Sequence, residues 1–434
     1  MIIMKLINNP KRKDWPSLLA RPALNALSLE KKVRKILNKV KKEGDKAVKQ
    51  FTRDFDGVKL KTLLVTEKEI SAAIKEVPEE LKRAIRTAKN NIEKFHSLQI
   101  RPVEYVDTMP GVRCWRNGVA IEKVGLYIPG GTAPLFSTVL MLGIPAKLAG
   151  CKEIVLCSPP SKETGKLHPA ILFAAKEVGI TTIIKAGGVQ AIAAMAYGTE
   201  TIPQVYKIFG PGNQYVNCAK QLVQSEGIAI DMPAGPSEVC VFSDETANPA
   251  FVAADLLSQA EHGTDSQVLL VSTDKSVLLN VNDEIEKQAA LLPRRKLALQ
   301  ALSNSKLIFL KSQDDAIDLV NAYAPEHLII AAANEEAIAK KIFNAGSVFL
   351  GNYSPESAGD YASGTNHALP TNGYARSYAG VSVDSFVKKI TWQKLTPRGL
   401  QNIGQTIITM AEAEGLQAHA NAVKIRLDQL NAES

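Results

Sequence analysis

Val124-Gly125-Leu126-Tyr127-Ile128 is a near-continuous apolar run, and Pro129-Gly130-Gly131-Thr132 follows it directly. A short apolar run closed by Pro and Gly reads as a buried strand ending in a tight turn. A helix over 137–149 comes next, and the pattern repeats. Ile154-Val155-Leu156-Cys157 reads as a strand closed by Pro159-Pro160, 170–178 as a helix and 182–185 as a strand. Gly187-Gly188 then opens a small-residue helix over 189–197. This alternation is the βα rhythm of a parallel sheet and sets the fold class as α/β.

A second set extends the pattern. Strands over 239–242, 268–271, 307–310, 328–331 and 347–350 alternate with helices near 249–261, 275–290 and 334–343. Val119-Ala120-Ile121 reads as a further strand ahead of the first set. The first hundred residues read as helical: Thr66 and Glu69 form a capping-box pattern, and Pro78 suits the first turn of a helix over 79–95. From about Asp384 the tail reads as helix without strands of its own. The two halves share a βα rhythm but no sequence repeat.

The chain has 434 residues, 45% hydrophobic and 22% charged, which is ordinary for a soluble globular protein with more than one core. No apolar run approaches a membrane span. Met1-Ile2-Ile3-Met4-Lys5-Leu6-Ile7 lacks the cleavage pattern of a signal peptide, so a cytoplasmic protein is expected. Cys114, Cys151, Cys157, Cys218 and Cys240 are odd in number and form no C-x-x-C pair, which fits reduced thiols. The net charge of +8 is concentrated early in the chain. Lys31, Lys32, Lys35, Lys39, Lys41 and Lys42 interleave with Val33, Ile36, Leu37 and Val40 at helical spacing. The lysines therefore belong to a solvated helix face, and no aromatic interleaving points to nucleic acid.

Only six histidines are present, and four stand among groups that bind metal or move protons. His262 is three residues after Gln259, so the pair shares a helix face. His327 is next to Glu326 after a proline and before Leu328-Ile329-Ile330, an acid–imidazole pair at what reads as a sheet edge. His367 follows Asp360, and His419 follows Glu412 and Glu414. His96 and His168 read as a helix-end and an exposed loop side chain, without a role in a site. Imidazole is the commonest metal ligand and titrates near neutrality. Gln259, His262, Asp360 and His419 form an N2O2 donor set that suits zinc. Taken alone, Gln259 with His262 reads better as an ordinary helix end with His262 as a cap before Gly263, and the bland reading of Glu326-His327 is a loop end with two solvated polar residues. Gly210-Pro211-Gly212-Asn213 and Gly130-Gly131 are turns that let a backbone approach a phosphate. No G-x-G-x-x-G occurs anywhere, so the Rossmann pyrophosphate grip is missing.

Five long motifs taken together are more specific. They are Gly210–Asn213, Asp231-Met232-Pro233-Ala234-Gly235-Pro236-Ser237-Glu238, the run from Asp255 to Gly263, Tyr323-Ala324-Pro325-Glu326-His327-Leu328, and the run from Ser357 to His367. In this order they closely resemble the histidinol dehydrogenase family, from about residue 25 to the C-terminus. The resemblance implies a zinc- and NAD-dependent oxidation of L-histidinol, through bound L-histidinaldehyde, to L-histidine. It implies zinc at Gln259, His262, Asp360 and His419, with Glu326 and His327 as the catalytic pair. Substrate would meet Ser237, Glu414 and His367 together with Gln259, His262, His327, Asp360 and His419. NAD would meet Tyr127, Gln190 and Asn213. The resemblance further implies two incomplete Rossmann-like domains in an intertwined homodimer. The division expected is an arm over 1–24, a large domain of 25–129 and 237–381, an inserted domain over 130–236, and a helical tail over 382–434 that completes the partner's site. A zinc hydrolase using the same ligands would need no nucleotide, and NADH formation with histidinol separates the two readings. A basic nucleic-acid-binding protein, the reading without enzymatic activity, would be retained on DNA or RNA in a salt-dependent way without turnover.

Overall fold

The structure is a computed structural model that describes residues 4–21, 26–130 and 134–433. Met1-Ile2-Ile3 and the Gly131-Thr132 part of the predicted turn lie outside the described residues. The chain divides into two compact units, Met1–Gln99 with Ile121–Phe386, and Ile100–Ala120 with Val387–Ser434.

The first unit holds two parallel sheets. One has six strands in the order Lys5–Asn8, Lys306–Phe309, Gln267–Ser272, Glu238–Ser243, His327–Ala331 and Ser347–Leu350. The other has five, in the order Thr182–Lys185, Glu153–Ser158, Lys123–Tyr127, Lys207–Phe209 and Ala229–Ile230. All neighbouring strands in both are parallel, so each is incomplete Rossmann-like in character. Helices cover both faces, which is why the central strands read as continuous apolar runs rather than alternating ones. Val239, Val241 and Leu270 pack on one face of the larger sheet, with Leu256 and Val281. Cys240, Phe242 and Leu269 pack on the other, with Tyr323 and Trp15.

The long helix Ala26–Asp56 is interrupted at Gly44, which takes φ 53°. Val33, Leu37 and Val40 are fully buried while Lys31, Lys32, Lys35, Lys41 and Lys42 face solvent. That stripe is apolar because it lies on helix Gly188–Tyr197 beside the five-stranded sheet. The helices Glu67–Glu76 and Glu79–Ser97 pack on the other face of this sheet, against helices Phe136–Ala149 and Pro169–Val178, the first capped by the Thr66–Glu69 box. Residues 26–99 go with the sheet of Lys123–Tyr127, not with the sheet that carries Glu326 and His327.

The second unit is a three-stranded antiparallel sheet and two helices. Tyr105–Met109 pairs with Val112–Ala120, which pairs with Val387–Leu395. Tyr105, Trp115 and Trp392 form a ladder, with Trp115 and Trp392 stacked at 6.1 Å. The expectation of a strandless tail is corrected by Val387–Leu395, and Val119-Ala120 closes an antiparallel strand rather than opening the βα series. Helices Pro397–Ala413 and Gln417–Ala432 follow, separated at Gly415 with φ 72°, as a glycine breaker requires. Their shared core is only Ile408, Ala411 and Ala420.

Three smaller points differ from the sequence reading. Glu326-His327 lies inside the six-stranded sheet, between Glu238–Ser243 and Ser347–Leu350, not at its edge. His96 is fully buried, with Nδ1 2.9 Å from Ile92 O and Nε2 3.3 Å from the Asn366 amide. Helices Arg295–Ser303 and Gln313–Tyr323 were not anticipated, and the helix expected over 334–343 spans only Glu335–Ala339. Among the described residues, no helix is long and apolar enough to cross a membrane.

Candidate functional site

Helix Gln313–Tyr323 ends at Ala324, a non-glycine residue held in the left-handed region at φ 53°. Such a conformation costs about 1–3 kcal/mol and persists only where its surroundings enforce it. Pro325 follows and turns the chain into the strand His327–Ala331. The turn delivers Glu326 and His327 to the start of a central strand, where both are buried. Gly346 lies against Glu326 O so closely that a Cβ would collide with it.

The neighbouring strand Glu238–Ser243 supplies backbone contacts to both side chains. Glu326 Oε2 accepts the Glu238 N–H at 2.8 Å, and His327 Nδ1 lies 3.2 Å from Glu238 O. The latter contact makes Nδ1 the protonated nitrogen and leaves Nε2 free to face the site. His327 Nε2 is 3.4 Å from Asp360 Oδ1, and Nδ1 is 3.7 Å from Glu326 Oε2 and 3.9 Å from Glu356 Oε1.

Glu356 and Asp360 are one turn apart on helix Glu356–Tyr361, so both carboxylates face one way. Gln259, fully buried on helix Pro249–Ala260, donates its amide to Glu356 Oε1 and accepts the Glu238 N–H at 3.3 Å. His262, just past the end of that helix, is exposed yet near enough to feel the charges of Asp360, His327 and His367. His367 is held by Asp360 O at 2.8 Å and Thr138 Oγ1 at 3.0 Å.

Three buried atoms in this cluster have no hydrogen-bond partner: His327 Nε2, Glu356 Oε2 and Asp360 Oδ1. Ligand atoms of His327, Glu356 and Asp360 lie within 4.8 Å of one another. Buried polar atoms are normally paired, and convergent unpaired nitrogen and oxygen donors are what a cation satisfies. His327, Glu356 and Asp360 thus offer donors that fit a divalent metal, and of these Asp360 belongs to the ligand set that the resemblance implies.

The electrostatics agree. Burial pushes Glu326 up to about 8. For His327 burial works downward, but Glu356, Glu326 and Asp360 outweigh it and carry the imidazole up to about 10. A dication among these groups would reverse that preference and favour neutral imidazole.

A cleft of about 730 Å³ lies in the same unit and opens beside His262. Tyr127, Gly212, Asn213, Ser237 and His262 line it. Tyr127 ends a strand of the smaller sheet, and its hydroxyl accepts the Gly188 N–H at 3.1 Å. Asn213 caps helix Gln214–Gln224 through Tyr215 N at 3.0 Å and Val216 N at 3.2 Å. Gln190 is buried in the first turn of helix Gly188–Tyr197 with its Oε1 unpartnered. These groups stand at the carboxyl ends of parallel strands, where α/β sheets take their ligands.

The structure therefore brings Gln259, Asp360, Glu326 and His327 together, with His262, His367 and Ser237 close by. Glu414 and His419 belong to the second unit, where both are exposed. Glu356 was missed by the sequence reading. Its signal was available: it stands four residues before Asp360, the helical spacing that aligns two carboxylates.

Comparison with known proteins gives a single result. A family model described as histidinol dehydrogenase matches residues 19–427. A histidinol dehydrogenase of Bacteroides thetaiotaomicron is 61% identical over 428 residues, covering 99% of this chain and all of that protein. The chloroplastic histidinol dehydrogenase of Arabidopsis thaliana is 52% identical, covering 96% of this chain and 90% of that one. The crystal structure of histidinol dehydrogenase from Elizabethkingia anophelis superposes with a TM-score of 0.97 at 56% identity, covering 99% of each chain.

Proposed function

The chain belongs to the histidinol dehydrogenase family, and from that premise we propose that it completes histidine biosynthesis by oxidising L-histidinol to L-histidine with NAD and zinc. The observation that carries the reading is the buried convergence of His327, Glu356 and Asp360, each with an unpartnered atom, beside Glu326. Gln259, His262 and Asp360 would hold zinc together with the partner subunit's His419. When bound, zinc supplies a Lewis acid that orients histidinol through its imidazole and amine nitrogens.

His327 takes the hydroxyl proton through Nε2 as hydride leaves carbon, and NAD is the hydride acceptor. The aldehyde stays bound, which prevents its escape. Glu326 then draws a proton from the water that adds to the aldehyde, and His327 acts as base again as the hydrate is oxidised. Ser237 and His367 position substrate, with Glu414 reaching it from the tail. Tyr127, Gln190 and Asn213 contact NAD, and the unpartnered Gln190 Oε1 supports this assignment.

The enzyme acts as a homodimer whose tails complete each other's sites. The exposed faces of Tyr105 and Trp392, and the small core beneath the two tail helices, support a partner. Five free cysteines support a cytoplasmic location. The deciding experiment adds L-histidinol and NAD to zinc-loaded protein. NADH and histidine should form in a ratio of about two to one, since each oxidation passes one hydride to nicotinamide. Hydrolysis without NADH would point to the metallohydrolase reading instead.

A further inference from the structure

Arg21 precedes every motif used above, yet its guanidinium reaches both the strand whose backbone holds Glu326 and His327 and the helix end that leads into them. Its Nε donates to Glu238 Oε1 at 2.5 Å and one terminal nitrogen donates to Glu238 Oε2 at 2.7 Å. The same nitrogen donates to Tyr323 O at 2.8 Å, and the guanidinium lies over the Tyr323 ring at 4.1 Å. The pair is withdrawn from water, with 12% of the Arg21 side chain and 2% of Glu238 exposed. Glu238 Oε1 also accepts the Asn372 N–H at 2.6 Å, and Tyr323 is anchored from its hydroxyl to Gln267 Oε1 at 2.9 Å.

Both ends of this clamp lead into the site. Glu238 holds Glu326 through its N–H and His327 through its carbonyl. Tyr323 and the left-handed Ala324 immediately precede Pro325-Glu326-His327. A bidentate guanidinium–carboxylate pair fixes orientation as well as distance, which a lysine cannot reproduce. We propose that Arg21 is a positioning residue for the reaction, locking the Glu238 backbone and the Tyr323–Ala324 turn so that Glu326 and His327 keep their catalytic geometry. It touches neither substrate nor cofactor. The inference rests on the roles given to Glu326 and His327 above.

Two variants and two readouts test it. Arg21→Lys keeps the charge but loses the fork. Arg21→Met with Glu238→Gln removes both charges and strands neither. In both, kcat should fall roughly 10–100-fold, the range of a small misplacement of reacting groups. KM for histidinol and zinc content should stay within about twofold of wild type, because binding groups are untouched. Hydrogen exchange should rise in peptides covering 236–241 and 321–328 but not in the rest of the six-stranded sheet. A double variant that keeps its melting temperature while kcat stays low supports positioning. Activity that follows melting temperature across both variants, or unchanged exchange at those peptides, overturns it. Absence of wild-type turnover would overturn the proposed function, and the exchange experiment would still decide the clamp.

Discussion

Replacing Lys220 by Met should be among the most damaging single changes outside the catalytic cluster. Lys220 and Asp231 form an ion pair with side-chain exposures of only 2% and 4%. Lys220 Nζ also donates to Gly210 O at 2.9 Å. Asp231 accepts the N–H groups of Gly210 and Met232, each at 2.8 Å. The pair thus holds the Gly210-Pro211-Gly212-Asn213 turn from both sides. The turn tolerates no side chain at Gly210, whose φ is 130° and whose missing Cβ would overlap Tyr127 O. Removing the lysine strands a carboxylate in the interior, which costs about 3–5 kcal/mol. For a unit of this size, at about 2.1 cal/mol/K of unfolding entropy per residue, that corresponds to a fall in Tm of about 4–7 °C. Adding Asp231→Asn removes the stranded charge while keeping an acceptor for the backbone, so most of the loss should return. Calorimetry on wild type, Lys220→Met and Lys220→Met/Asp231→Asn measures this directly. The double variant should also show a raised KM for NAD with little change for histidinol, because the turn carries Asn213, for which an NAD contact is proposed, into the cleft. A loss of no more than about 1 kcal/mol for the single variant, as for an exposed pair, would refute the reasoning. So would a double variant no more stable than the single one.

The catalytic assignments lead to a division of labour. Glu326→Gln should spare the alcohol step more than the aldehyde step, whereas His327→Asn should impair both, read by turnover of histidinol against supplied histidinaldehyde. Chelation should abolish activity and zinc restore it, and His262→Asn should lower the zinc content measured by elemental analysis. Mixing inactive His262→Asn and His419→Asn chains under subunit exchange should regenerate activity, and no recovery with exchange verified by mass spectrometry would remove the shared site. Burial raises Asp56, at the end of the long first helix, to about 6. Its folded pKa exceeds the unfolded value of about 3.9, so its contribution to stability is present at low pH and is lost as pH rises through about 6. Asp56→Asn should therefore gain Tm relative to wild type above about pH 6 and gain none near pH 4, measured across a pH series.

The parallel sheets were legible because their strands carry unbroken apolar runs punctuated by Gly and Pro. The break at Gly415 was legible for the same kind of reason, a residue whose backbone preference outweighs its neighbours. The antiparallel sheet of the second unit was not. Tyr105–Met109 is exposed along its length, and Val387–Leu395 alternates only weakly, so neither presents the period that burial imposes on a strand. Glu326-His327 looked like an edge because Tyr323-Ala324-Pro325 precedes it and Leu328-Ile329-Ile330 follows, a pattern that does not tell an edge strand from a central one. Here the Glu238 backbone accommodates them, a partnership between residues far apart in sequence. The pairing of Arg21 with Glu238 was invisible for that reason too, while Glu356 and Asp360 were in reach of simple helical spacing.

The edge strand Lys5–Asn8 pairs with Lys306–Phe309, so one of the first segments synthesised must wait for a segment made much later. The five-stranded sheet has all its strands once Ile230 has been made and can consolidate during translation. The six-stranded sheet cannot close until Ser347–Leu350 has emerged. Contacts between such distant segments form slowly, because chain entropy must be lost before they stabilise anything. During that interval Leu6 and Ile7 have no sheet to join, so this strand stays unpaired until Lys306–Phe309 appears. Unpaired strands of this kind are where nascent chains associate wrongly. The order of synthesis thus makes the six-stranded sheet the late-folding, chaperone-sensitive half of this unit, and the five-stranded sheet the early one.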